Sequence, residues 1–171
     1  MKNYLNTKEI KEIKKISNLY DKAYKLVEIL FVDHYDKAGQ PYINHLLRVS
    51  QKLKNTETKV AGLLHDTIED IKGFTLNDLL ELGFTENIVE IVNIVTRKDY
   101  PKTTYHEYIT KILSNNNLEA IKLKYSDMTD NLDPERLDKL KQEEQTRLLK
   151  KYTLELDRIK NYLQERNCLY E

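Results

Sequence analysis

Tryptophan is absent from this sequence, cysteine occurs once, proline three times and glycine four times in 171 residues. The single Cys168 excludes an internal disulfide framework and fits a reducing compartment. So few glycines and prolines supply little material for the turns of a strand-rich architecture, and an abundance of Leu, Ile, Lys and Glu favours helix. Long apolar runs are also lacking. None approaches the ~20 residues that span a bilayer, and residues 1–9 lack the apolar core of a signal peptide. A cytoplasmic protein with no membrane association is expected. An excess of one charge is missing as well: 28 basic residues face 28 acidic ones. That balance disfavours a broad nucleic-acid surface, whereas a pocket for a small anionic ligand needs only local positive charge. What is present, 40% hydrophobic and 33% charged residues, describes an ordinary globular chain able to bury a core. The 12 tyrosines are an unusual excess and indicate no function by themselves.

The length fits one domain, residues 1–171, and most of the chain reads at helical period. Thr7 is expected to cap a helix in which Ile10, Ile13, Ile16 and Leu19 recur, followed by a helix carrying Ala23, Leu26, Val27, Leu30 and Phe31. The polar stretch from Asp33 to Gln40 reads as a loop. Pro41 suits the first turn of a helix that runs through His45, Leu46, Val49 and Leu53. Asn55 or Thr56 opens the next, which is expected to carry Val60, Ala61, Leu63, Leu64 and Thr67 and to end at Gly73. Thr75 and Asp78 form a capping-box pattern ahead of a short helix closed by Gly83, and Thr85 caps another with Ile88, Val89, Ile91, Val92 and Val95 on its buried face. Arg97-Lys98-Asp99-Tyr100-Pro101-Lys102 reads as a second loop. Helices resume at Thr103 or Thr104 and at Leu118, break at Asp133-Pro134, and end in an amphipathic helix from about 138 to 164. That last helix can pack on its own domain or on a second copy, which leaves a homo-oligomer open.

Residues with chemical potential are scattered as they would be in a three-dimensional site. His45, His65, Asp66 and Asp127 offer two imidazoles and two carboxylates, a mixed set suited to a divalent metal such as Mn, Fe or Zn. Such an ion acidifies water and polarises a phosphoryl oxygen. Glu69 and Asp70 follow His65 and Asp66 at i+4, so on a continuous helix they share a face with that pair and can handle a proton of water. Each feature also has a plainer reading. A lone histidine on an apolar helix is more often a satisfied core residue, and a Glu-Asp pair near a helix end is ordinarily a solvated patch. The apolar turn Ala61, Leu63, Leu64 before His65 favours function, because an acid and an imidazole buried together need a compensating reason.

Three segments then resemble one family. They are Ala38-Gly39-Gln40-Pro41-Tyr42-Ile43-Asn44-His45, Ala61-Gly62-Leu63-Leu64-His65-Asp66-Thr67-Ile68-Glu69-Asp70, and the run from Ile121 to Asn131. In order and spacing they resemble the hydrolase domain of the RelA/SpoT group, a branch of the HD-domain metal-dependent phosphohydrolases, over roughly residues 23–152. The resemblance implies an all-α, compact HD-domain bundle of about eight to ten helices. It implies a metal site of His45, His65, Asp66 and Asp127, usually holding Mn2+, with Fe2+ or Zn2+ as alternatives. Glu69 and Asp70 would activate water, and Lys37 and Asn131 would contact the substrate. The chemistry implied is removal of the 3′ pyrophosphate from a guanosine alarmone, in a stand-alone hydrolase without a synthetase domain. An HD phosphohydrolase for another phosphorylated nucleotide or dinucleotide, and a nucleotide-binding sensor with weak turnover, are the alternative readings. The chain departs from the family at two positions, with Asp36 and Met128 where arginines are usual. Arg97, Lys98, Lys102, Lys122 and Lys124 are the candidates to replace their charge at a polyphosphate.

Overall fold

A computed structural model describes residues 4–98 and 101–168. Asp99 and Tyr100 of the expected basic loop lie outside the described residues. The chain forms the expected all-α bundle, with α1 (Thr7–Lys15), α2 (Leu19–Leu30), α3 (Ile43–Gln51), α4 (Thr56–Leu64), α5 (Thr67–Asp70), α6 (Leu76–Glu81), α7 (Glu86–Val95), α8 (Tyr105–Asn115), α9 (Leu118–Asn131), α10 (Pro134–Leu137) and α11 (Gln142–Glu165). Two of these, α5 and α10, are single turns of 4 residues. Among the described residues the nearest approach to extended structure is an isolated bridge between Tyr35 and Pro41.

Local chemistry sets most helix starts. The side chains of Asn6, Asn18, Asn55, Thr75, Thr85, Thr104, Asn117 and Asp133 each accept from backbone N–H groups in the first turn of the helix that follows, satisfying donors that no helix can satisfy internally. The capping box at Thr75 and Asp78 forms as expected, and Gly83 takes a positive φ of 88° after α6.

Several expected boundaries move. Asn6, not Thr7, caps α1, because it stands three residues before Glu9 and its side-chain oxygen closes a capping box with that residue. Leu19 opens α2 behind the Asn18 cap instead of ending α1. Pro41 stands ahead of α3, bridged to Tyr35, and Leu53 falls beyond its end. The amphipathic C-terminal helix begins at Gln142, four residues later than expected, since residues 138–141 follow the α10 turn.

The largest departure lies where the continuous helix through Thr67 to Gly73 was expected. The helix stops at Leu64, turns at His65 and Asp66, and resumes for one turn as α5. Side-chain donors take carbonyls of the last turn of α4, ahead of the break: His65 Nδ1–H donates to Gly62 O at 2.8 Å, and Thr67 Oγ1 to Leu64 O at 2.6 Å.

The break is tolerable because α4 is the central helix, packed by α2, α3, α7 and α9. Its residues from Val60 to Leu64 are all buried, as befits a C-terminal half that is apolar all round. Where α4 passes α3, Gly62 lets the backbones approach: an added Cβ would sit 3.0 Å from Ser50 Cα. A first core gathers α2, α3, α4 and α7, and a second gathers α8, α9 and α11, with α9 contributing Ala120 and Leu123 to one and Ile121 and Met128 to the other. The sites of interest lie at the seam. Among the described residues no helix is long and apolar enough to cross a membrane.

Candidate metal and phosphate site

Helix α3 carries His45, the turn after α4 carries His65 and Asp66, and α9 carries Asp127. Packing of these three elements brings the four groups together. His45 Nε2 lies 3.4 Å from Asp127 Oδ1 and 3.7 Å from Asp66 Oδ2; His65 Nε2 lies 3.2 Å from Asp66 Oδ2 and 3.7 Å from Asp127 Oδ1. His45, His65 and Asp127 are buried, and their donor atoms all lie within 4.8 Å of one another. Both rings are held from behind by Nδ1, His65 on Gly62 O and His45 on Asp130 Oδ2 at 2.7 Å, so both Nε2 atoms point inward. His65 Nε2 is buried with no hydrogen-bond partner. An orphaned imidazole nitrogen facing two carboxylates is the arrangement a divalent cation completes, so these residues fit such an ion.

Electrostatics reinforce the point. Burial opposes protonation of His65, yet Asp66 and Asp127 outweigh it and raise its pKa to about 9. His45 is raised as well, against its own burial, by hydrogen bonds to Asp127 and Asp130. Burial pushes Asp127 up, but Lys124 and the two histidines hold it well below the usual carboxylate range. Protons here stand where positive charge is wanted. Asp127 is held on three sides: Lys124 Nζ donates to Oδ2 at 2.7 Å, and Asn131 Nδ2 to Oδ1 at 2.6 Å and to its carbonyl at 3.0 Å.

The site floors a cavity of about 1110 Å3. Its lining includes Lys37, Arg97, Lys98, Lys124, Arg136, Arg147 and Lys151, and the tyrosines 35, 42, 105, 108 and 152, which gives part of the tyrosine excess a place. Asp70 also lines it, its pKa raised to about 6 by burial and then by the charges of Asp66 and Glu69. The Tyr42 hydroxyl donates to Asp66 Oδ2 at 2.7 Å. Glu69 lies nearer the rim, accepting from the backbone N–H of Arg97 at 2.7 Å.

Similarity to known proteins follows this geometry. No protein-family model matches the chain. It is 33% identical over 119 residues to guanosine-3′,5′-bis(diphosphate) 3′-pyrophosphohydrolase of Aquifex aeolicus, an alignment covering 65% of this chain and 17% of that protein. It is 34% identical over 86 residues to a probable GTP pyrophosphokinase of Mycobacterium leprae, covering 48% and 11%. The chain thus spans under a fifth of the length of these relatives. A solved structure of a metazoan ortholog of SpoT that hydrolyses ppGpp superposes with a TM-score of 0.63 at 22% identity, over 90% of this chain and 98% of that one. The chain has the RelA/SpoT-like HD-domain fold.

Within this HD domain the two departures from the family acquire a physical account. Asp36 does not face the cavity as a free anion. Its Oδ1 accepts from the N–H groups of Ala38 and Gln40, both at 2.9 Å, and its Oδ2 accepts from Arg136 at 3.1 Å. Met128 is fully buried in the second core, away from the cavity lining. Of the replacement cations expected, Arg97, Lys98 and Lys124 line the cavity of the HD domain; Lys102 and Lys122 do not, Lys122 lying within reach of Glu119. Lys37 lines it but pairs with Glu144 of α11, and Asn131 spends its amide on Asp127. Tyr42, Asp130, Arg136, Arg147 and Lys151 were missed as site residues. The last two carried a readable signal, cations at i and i+4 on one face of the C-terminal helix; the others become visible only when α3, α9 and α10 meet.

Proposed function

We propose that this chain is one hydrolase domain, residues 1–171, that removes pyrophosphate from the 3′ position of a guanosine alarmone in a Mn2+-dependent reaction. The observation that carries the reading is the convergence of two inward-facing imidazoles with Asp127 on the floor of a large cavity walled by cations and tyrosines. His45, His65, Asp66 and Asp127 would hold the ion. When bound, it neutralises phosphoryl charge and supplies an acidified water as nucleophile.

The chain's own groups then divide the work. Asp70, next to Tyr42 and Asp66, is placed to take a proton from attacking water, with Glu69 beside it. Lys124, Arg147 and Lys151 present charge to the phosphates, and Tyr105 and Tyr152 wall the same cavity beneath Lys151. Lys37 joins them when a polyphosphate competes with Glu144, and Asn131 keeps Asp127 aimed at the ion while lining the pocket.

A substrate panel with Mn2+ tests the reading. Guanosine 3′,5′-bis(diphosphate) should yield pyrophosphate and GDP, whereas GDP, GTP and NADPH should be left intact. Turnover of NADPH or an ordinary nucleotide in preference to the alarmone would assign the site to another phosphorylated nucleotide, and nucleotide binding without any turnover would make the domain a sensor.

A further inference from the structure

Asp130 has no exposed surface, and it lies on α9 three residues beyond Asp127, behind the candidate metal site. Its Oδ2 accepts the Nδ1–H of His45 at 2.7 Å, which keeps a proton on Nδ1 and so reserves the Nε2 lone pair for a cation between Asp127 and Asp66. Arg48 grips both oxygens of Asp130, Nε on Oδ1 at 2.8 Å and Nη2 on Oδ2 at 3.1 Å. Arg136 bonds Oδ2 and the Asp130 carbonyl through Nη1, and through Nη2 it bonds Asp36 at 3.1 Å. Asp36 in turn closes the loop that carries Lys37. One buried carboxylate therefore touches a metal-facing ring on one side and, through a single guanidinium, the substrate loop on the other.

We propose that Asp130 is a positioning residue that fixes the His45 ring with Nε2 toward the cation, and that Arg136 ties the Lys37 loop to that orientation. A carboxylate on the outer nitrogen of a ligating imidazole selects its tautomer, raises its basicity and removes the freedom the ring would otherwise lose on binding. The inference rests on the metal reading above, and metal alone is the probe, so no substrate assumption enters.

Mn2+ binding to the full chain is measured by calorimetry and by electron paramagnetic resonance, with the two imidazole couplings resolved by spin-echo modulation. Asp130→Asn keeps the shape and removes the charge; it should weaken Mn2+ binding by about 10–100-fold and alter one nitrogen coupling, leaving that of His65. A Kd within a factor of about two of the parent, or two unchanged couplings, overturns the proposal. Should that variant fail to fold, Arg48→Gln, whose side chain is half exposed, loosens the same carboxylate from outside. It should cost roughly threefold in affinity, and an unchanged Kd there is equally fatal. A parent chain that binds none of Mn2+, Fe2+ and Zn2+ would refute the metal reading and this inference with it, whereas a normal parent with unaffected variants refutes the inference alone.

Discussion

Gly62→Ala perturbs the contact that sets the spacing of the two imidazoles. Gly62 is buried in α4, three residues before His65, and faces Ser50 of α3, five residues after His45. An added methyl carbon would lie 3.0 Å from both Ser50 Cα and Leu53 Cδ1, and 3.4 Å from Ser50 Cβ. The Leu53 tip can rotate away. The Ser50 backbone cannot, because its Oγ is bonded to Lys59 O at 2.8 Å and its helix is packed on α4 and α9. Relief therefore separates α3 from α4 by a few tenths of an ångström. Alanine in place of glycine favours the helix by about 1 kcal/mol, while overpacking a close contact costs about 1–3 kcal/mol. The net is a destabilisation of about 1 kcal/mol, or roughly 2–4 °C in Tm for a domain of this size. The same displacement draws His45 from His65 and should weaken Mn2+ binding about tenfold, of the order seen when metal-site support is lost. Urea unfolding of the metal-free protein, followed by circular dichroism, reads the first effect, and Mn2+ titration reads the second. A variant that is more stable by about 1 kcal/mol with unaltered Mn2+ affinity would refute the reasoning, since it would show that the helices are not in limiting contact.

Other predictions bear on the cavity and its wall. Burial and then the neighbouring charge of Lys124 lower the Lys151 pKa to about 8, so its ammonium is charged below that pH and lost above it. kcat/KM for a polyanionic substrate should accordingly fall as pH rises through about 8, and Lys151→Arg should abolish that limb; an unchanged alkaline limb in the variant would exclude Lys151 as its source. Glu69→Ala should leave Mn2+ affinity intact and slow hydrolysis by about 100-fold, measured as pyrophosphate release at saturating metal. Met128→Arg, which restores the family's residue, should lower stability by at least about 2 kcal/mol in a denaturant titration, because it places a guanidinium in a packed apolar core.

Much of the architecture was legible from local chemistry. Caps at Thr75 and Thr85, helix starts at Asn55 or Thr56 and at Thr103 or Thr104, and apolar periodicity from Ile88 to Val95 depend on residues within one or two turns of each other, and the helices formed accordingly, with Asn55 and Thr104 as the caps. The helix break at His65 was not legible. It depends on two side chains competing for backbone carbonyls in a turn whose apolar pattern still reads as helix.

The sequence by itself determined an all-helical chain, its family resemblance and the residues with metal-binding chemistry, because composition, capping and motif order are written locally. Tertiary structure alone decided what those residues face. It tied Asp36 at the cavity wall to Arg136 and buried Met128 away from the cavity, so neither meets a ligand as its position in the motif suggested. It also set Asp130 behind His45 and brought Arg147 and Lys151 of α11 to the cavity wall. These partners lie 85 residues apart in the case of His45 and Asp130, and no local propensity encodes a meeting at that separation. Only the packing of α3 against α9 brings them within bonding distance.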